Sequence, residues 1–406
     1  MFLSPDRRAA RLVGHSLSFI IAGSASLALS INTSFYDAFP STHLGVVLVA
    51  VLALQLFLHP RMLFCREFAL YTVFVVYMIV QLLWTQDKTL AMNTIEPSLN
   101  VVMVMILYGS LVTFHDVRVV LKGMLSGVIA GAIIYTGLAG FPLVYPQDFS
   151  YNAMALMYLF GLIVTLLIAC YQKSRWWLLV VGLVFGSLIV ATTSIKTNLG
   201  LFVGAVSAFV IYFRVFRQII RQNLVLLLVL SAMLAYAVAS NQALIDSLQL
   251  GVNRIRLGIE ILQAREDLAG YSGFEERGMW AIEGLRAWLQ NPVFGYGVEA
   301  FRARFGITSH STPIDLIYNS GLIGLILFYS MFVSLFWRLA LVRERNVAAV
   351  CAVIFGALVC FLFITLAAAM NYHYFLAAFI AISAGLLRQF QPQEKHAGTS
   401  RAEDPQ

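Results

Sequence analysis

The stretch Thr308-Ser309-His310-Ser311-Thr312-Pro313-Ile314-Asp315 puts a histidine one or two residues ahead of a helix start. Thr312 can cap the helix, Pro313 fits its first position, and Asp315 suits its positive end. The free N–H groups of such a terminus attract anions. An imidazole of near-neutral pKa beside them can take a proton from a hydroxyl. An apolar run, "LIYNSGLIGLILF", follows directly. The spacing therefore offers a general base at a membrane surface. The plain alternative is an interfacial histidine with no chemical role, as for His15, His43, His59 or His115.

Two further groups carry charge where chemistry can use it. The segment from Asn241 to His310 holds Arg254, Arg256, Arg265, Arg277, Arg286, Arg302 and Arg304 and no lysine. Guanidinium forks suit bidentate phosphate binding better than ammonium does. Arg277 opens a Trp-rich stretch beside Glu275 and Glu276, and Arg265 is followed by Glu266 and Asp267, so the alternative for both is a solvated ion pair. Lys196 lies in "IVATTSIKTNLGLFVG", a cation among hydroxyls between two apolar spans. Polarity at a membrane edge is costly and suggests a role; the alternative is a lysine that snorkels to the interface.

These residues need elements to hold them. Of 406 residues, 60% are hydrophobic and 12% charged, with a mean hydropathy of +0.83. This is the composition of an all-α polytopic membrane protein. Apolar runs at 12–30, 43–58, 68–84, 97–114, 119–141, 152–171, 176–193, 198–213, 223–240, 313–337, 347–369 and 372–387 give about twelve transmembrane helices. The basic start "MFLSPDRRAAR" runs straight into the first of them with no small-residue cleavage site, and reads as a retained helix. With the N-terminus in the cytoplasm, most of the 27 Lys and Arg residues fall on inner segments. The short outer loops hold only Lys88 and Lys196. The positive-inside rule therefore puts both termini in the cytoplasm. The expected organisation is helices 1–9 over 1–240, a large helical periplasmic loop over 241–311, helices 10–12 over 312–388 and a polar cytoplasmic tail over 389–406. Within the loop, "LIDSLQLGVNRIRLGIEILQA" reads as one helix. Trp280, Ala281, Leu285 and Trp288 mark another, stopped by Asn291-Pro292 with Gly295 and Gly297.

Several classes are set aside. Cys65, Cys170, Cys351 and Cys360 lack metal-ligand spacing. Gly295-Tyr296-Gly297 follows no strand and reads as a turn, not a nucleotide signature. The net charge of +7 reflects cytoplasmic loops and not a nucleic-acid partner. A metal-free, nucleotide-free outer site remains. A lipid-linked-sugar transporter would also suit twelve spans, but no internal repeat appears and the predicted spans hold almost no charge. A scaffold would leave His310 and the arginines unexplained.

The order of these features resembles a known family. A "T-x-S-cation-T" hairpin precedes two spans, then an outer loop with "R-x-x-W-A-I-E-G-L…NPVFGYG" ending in "H-S", then a helix with "GLIGLILF". This is similar to the O-antigen ligase and Wzy-type polymerase superfamily of bacterial envelope glycosyltransferases, most strongly over about 190–330. The resemblance implies a GT-C-like fold in the inner membrane. It implies transfer of a glycan from an undecaprenyl-diphosphate carrier to a sugar hydroxyl at the periplasmic face, without cofactor or metal. The acceptor would be lipid A-core for a ligase, the preferred expectation, or another lipid-linked glycan for a polymerase of O-antigen or exopolysaccharide. By the same resemblance His310 falls on the family's proposed base, Arg277 on a diphosphate-binding arginine and Lys196 near the hairpin arginine. The resemblance implies Arg265 as a further phosphate contact. The hairpin cation is here a lysine one residue late, and Ser311 stands where the family has asparagine.

Overall fold

The structure is a computed structural model. It describes residues 5–34, 41–58, 65–139, 151–172, 176–192, 194–215, 217, 282–342, 344 and 347–390. The described part is helical: α1 Pro5–Ser34, α2 Ser41–Leu58, α3 Arg66–Gln81, α4 Lys88–Phe114, α5 Val117–Ala139, α6 Tyr151–Tyr171, α7 Trp176–Ala191, α8 Ile195–Ile211, α9 Ala300–Phe305, α10 Thr312–Leu341, α11 Ala348–Thr365 and α12 Tyr374–Phe390. Six of these are long and apolar enough to cross a membrane, and α2, α7, α8 and α12 are shorter apolar helices. The protein is thus an all-α, multi-pass membrane protein. The apolar run 223–240 and most of the large loop lie outside the described residues.

Close backbone approach holds the bundle together. Gly123, Gly127 and Gly131 recur every fourth residue along α5 and meet Gly23, Ser26 and Ser30 of α1. A Cβ at Gly127 would run into the Gly23 carbonyl. Small residues at this spacing let helices pack where lipid gives no hydrophobic drive for association. Gly200 and Gly204 of α8 repeat the device against Gly356 and Cys360 of α11. The central helix is α12, buried continuously from Tyr374 to Leu387. A helix apolar on every side belongs at such a centre.

Two ends can be told apart by their polar contacts. At one, Arg338 of α10 pairs with the fully buried Glu67 of α3 at 3.1 Å, and Ser334 donates to the same carboxylate. At this end too Gln55 donates to His115 Nε2 at 2.9 Å. Ser18 Oγ already donates to Gly14, so it accepts from His115 Nδ1. His115 is therefore a structural link between α1, α2 and the α4–α5 turn. The opposite end carries His310.

Two boundaries differ from the sequence expectation. The fourth helix begins at Lys88 instead of about residue 97, because Asp87 caps it by accepting from Leu90 N at 2.9 Å and Pro97 does not break it. Glu96 thus stands inside a candidate span. The eighth begins at Ile195, which places Lys196 in its first turn and not in a hairpin.

A candidate active site around the His310 loop

Helix α10 is broken. Gly321 sits at φ 61°, ψ −165°, a backbone state that side chains other than glycine's scarcely enter. The break frees backbone groups, and the "NPVFGYG" stretch takes them up. Tyr296 N donates to Tyr318 O at 3.0 Å and Gly297 N to Asn319 O at 2.8 Å. Leu322 N returns a bond to Pro292 O at 2.9 Å. Gly295 and Gly297 have φ of 71° and 102°, and a Cβ on Gly295 would meet the Asn319 carbonyl. The stretch is a turn, as its glycines indicate, but its task is to complete a discontinuous helix. Tyr77 of α3 closes the far side, its hydroxyl 3.1 Å from both the Phe294 and the Ser320 carbonyls. Residues 282–288 are helical, in line with the pattern through Leu285 and Trp288.

The loop before α10 is tied on itself. Ser309 N donates to Asp315 Oδ1 at 3.0 Å, and Ser309 Oγ donates to Ser311 O at 2.9 Å. Between these bonds His310 adopts φ 57°, a left-handed state that costs a non-glycine residue roughly 1–2 kcal/mol. The bonds of Ser309 on either side help to fix this geometry. Thr312 differs from expectation: Ser311 is the N-cap residue. The Thr312 hydroxyl instead donates to Ala368 O, and accepts from Met370 N at 2.8 Å. Residues 366–373, which join α11 to α12, are thereby fastened to the His310 loop.

Lys196 meets the same segment. Its Nζ lies 3.4 Å from the Ala367 carbonyl, one residue from the Ala368 carbonyl that Thr312 binds. Around it the hairpin hydroxyls satisfy one another: Ser194 donates to Asn152 Oδ1 at 2.9 Å and lies 3.1 Å from Thr197 Oγ1. Lys196 and His310 are each half-buried. They are distant in sequence and are gathered at one end of the bundle through residues 366–373. Arg277 and Arg265 lie outside the described residues.

The sequence reading passed over several groups at this site. Glu299, 7% exposed and also left-handed at φ 59°, accepts from Thr94 Oγ1 at 2.7 Å. Burial pushes its carboxyl above the usual range, opposed by the Thr94 hydrogen bond and by Arg302. Glu299, Arg302, Asp315, Asn319 and Asn371 line one small polar crevice. His373 follows two residues later. Burial holds its imidazole down at about 4, and the nearby charge of Lys196 adds to this. Asn371 Oδ1 and His373 Nδ1 are buried without hydrogen-bond partners. The available signal was Asn371-Tyr372-His373 itself, a polar interruption between two apolar runs. Among the described residues no cluster of His, Cys, Asp or Glu is placed to hold a metal.

No family model and no curated protein matches this chain.

Proposed function

We propose that this protein is a bacterial inner-membrane glycosyltransferase of the O-antigen ligase type. It passes a glycan from an undecaprenyl-diphosphate carrier to a sugar hydroxyl of lipid A-core at the periplasmic face. In this reading the bundle has twelve spans and a GT-C-like plan, both termini are cytoplasmic, and 223–240 supplies the ninth span. His310 is the base for the acceptor hydroxyl, and Lys196, Arg277 and Arg265 hold the diphosphate.

The observation that carries the reading is the 366–373 segment, which brings an imidazole and an ammonium from distant parts of the chain to one end of an apolar bundle. The position of Lys196 adds a physical argument. A cation in the first turn of a helix is unfavourable by roughly 0.3–1 kcal/mol against the helix dipole. Ammonium and N-terminal N–H groups together suit an anion. A lipid diphosphate gains charge as its glycosyl bond breaks, and fixed cations in a half-screened site stabilise that charge better than water does. Removing one such donor costs about 10²–10³ in rate, so Lys196→Gln should slow transfer on that scale while Lys196→Arg retains most of it.

The test is His310→Ala in the native host, with membrane insertion checked, profiling surface glycan and undecaprenyl-linked glycan together. Long chains that accumulate on the carrier and disappear from lipid A-core establish a ligase. Single repeats reaching the final acceptor establish a polymerase instead. If neither pool changes while the variant is present at normal level, the catalytic reading of His310 fails.

A further inference from the structure

Glu96 stands about two turns into α4, and its Oε1 is buried with no hydrogen-bond partner. Among the described residues it is the one charged side chain lining a groove of about 560 Å³ between α2 and α4, a volume in the range of small-molecule and cofactor sites. The groove is graded along its length. Asn100 donates to the Ser41 carbonyl at 2.8 Å, which sets the start of α2 about one turn beyond Glu96. Glu96 is therefore at the outer lip, and Val46, Val49 and Met103 line the deeper part. From Ser41 to Ala50 the wall descends about 13 Å. Val46 and Val49 are 70% and 56% exposed.

The neighbouring polar groups of α4 are committed elsewhere, Thr94 to Glu299 and Asn100 to Ser41. An ionisable group in a membrane helix is costly and marks a function by default. Glu96 Oε1 lacks a donor among the described residues, and a positively charged donor gives the stronger bond. The rest of the groove calls for something apolar attached to that donor. A carboxylate at the lip also disfavours an anionic head.

We propose that this groove is a phospholipid site selective for phosphatidylethanolamine: the headgroup ammonium donates to Glu96, and one acyl chain lies along Val46, Val49 and Met103 in the leaflet at the His310 end. The site is separate from the glycosyl-transfer chemistry and stands or falls independently of it.

The full chain, purified in mild detergent and stripped of lipid, is titrated with phosphatidylethanolamine or phosphatidylglycerol and read by native mass spectrometry. The first phosphatidylethanolamine should be favoured by about tenfold, the scale of one hydrogen bond to a charged group. Glu96→Gln should bring the two lipids to parity, and Val49→Trp, which fills the deeper part, should weaken both. Acylating the headgroup amine should abolish the preference of the unmodified chain, a result that needs no variant to fold. Equal binding of the two lipids by the unmodified chain, a preference for phosphatidylglycerol, or a preference that survives either amine acylation or Glu96→Gln overturns the proposal.

Discussion

Thr312 donates both its backbone N–H and its hydroxyl to a single carbonyl, that of Ala368, and the same hydroxyl accepts from Met370 N. One fully buried side chain thus clamps the α11–α12 connection to the loop bearing His310. Thr312→Val keeps the shape and deletes the hydroxyl, leaving a buried amide unpaired. The expected cost is about 1–3 kcal/mol, seen as a lower unfolding temperature in detergent and faster hydrogen exchange at Met370. Thr312→Ser should restore most of the loss. Exchange at Met370 that does not change in Thr312→Val would remove the clamp from the account.

Gly321→Ala attacks the helix break directly. The new Cβ would run into the Val293 carbonyl in a backbone state reserved for glycine, at a cost of roughly 3 kcal/mol or more. Gly306→Ala is the matched control. Gly306 also has a positive φ, 77°, but open space around it, so only the conformational cost of about 1–2 kcal/mol should appear. Comparable unfolding temperatures for the two variants would show that the break is not sterically enforced.

The stabilisation that His373 contributes should fall in mild acid, against an opposite contribution from the raised carboxyls of Asp315 and Glu299, and Lys196 should add to its size. The folded chain holds the His373 imidazole at about 4, below its ordinary 6.5. The unfolded chain then binds the proton more readily. The stabilisation is complete above the ordinary value and is lost as pH falls from about 6.5 towards 4. Lys196→Gln removes one of the two causes of the depression and should shrink the loss. His373→Gln should remove this contribution altogether. Unfolding temperatures at pH 7.5 and at pH 5, compared across the three chains, measure it; identical pH dependence in all three would refute the coupling.

Arg338→Met leaves Glu67 as an unpaired carboxylate in a fully buried position. Breaking a buried pair from one side costs about 3–5 kcal/mol. Arg338→Met combined with Glu67→Leu should recover most of that. A single variant as stable as the parent would mean that water or lipid headgroups reach Glu67.

Among the described residues the helices were legible in the sequence, and the joints between them were not. Apolar runs marked the spans because lipid demands long uninterrupted hydrophobic segments. The start of α10 could be read from Pro313 and Asp315. The break at Gly321 could not, because Asn319-Ser320 are only a brief polar interruption in "YNSGLIGLILF" and only the partner backbone at 291–297 reveals its geometry. The α1–α5 contact was present as Gly123, Gly127 and Gly131, but hydropathy does not separate a packing face from a lipid face. His310 and Lys196 were singled out for type and position. What joins them, residues 366–373, acts through backbone carbonyls that any sequence would supply. Glu96 lies one residue before the apolar run at 97–114, so hydropathy alone leaves it out of the helix that begins at Lys88.

The break at Gly321 also relocates the water's edge. Leu322–Leu341 alone contains twenty residues, about 30 Å of helix, which matches the hydrocarbon thickness of a bilayer. The short helical piece from Thr312 to Ser320 is then surplus to the crossing, a pedestal about 13 Å tall. On that geometry Asp315 and His310 would stand at headgroup depth, beyond a crossing that starts at Leu322. The helix long enough to cross a bilayer also carries the loop bearing His310 clear of that crossing.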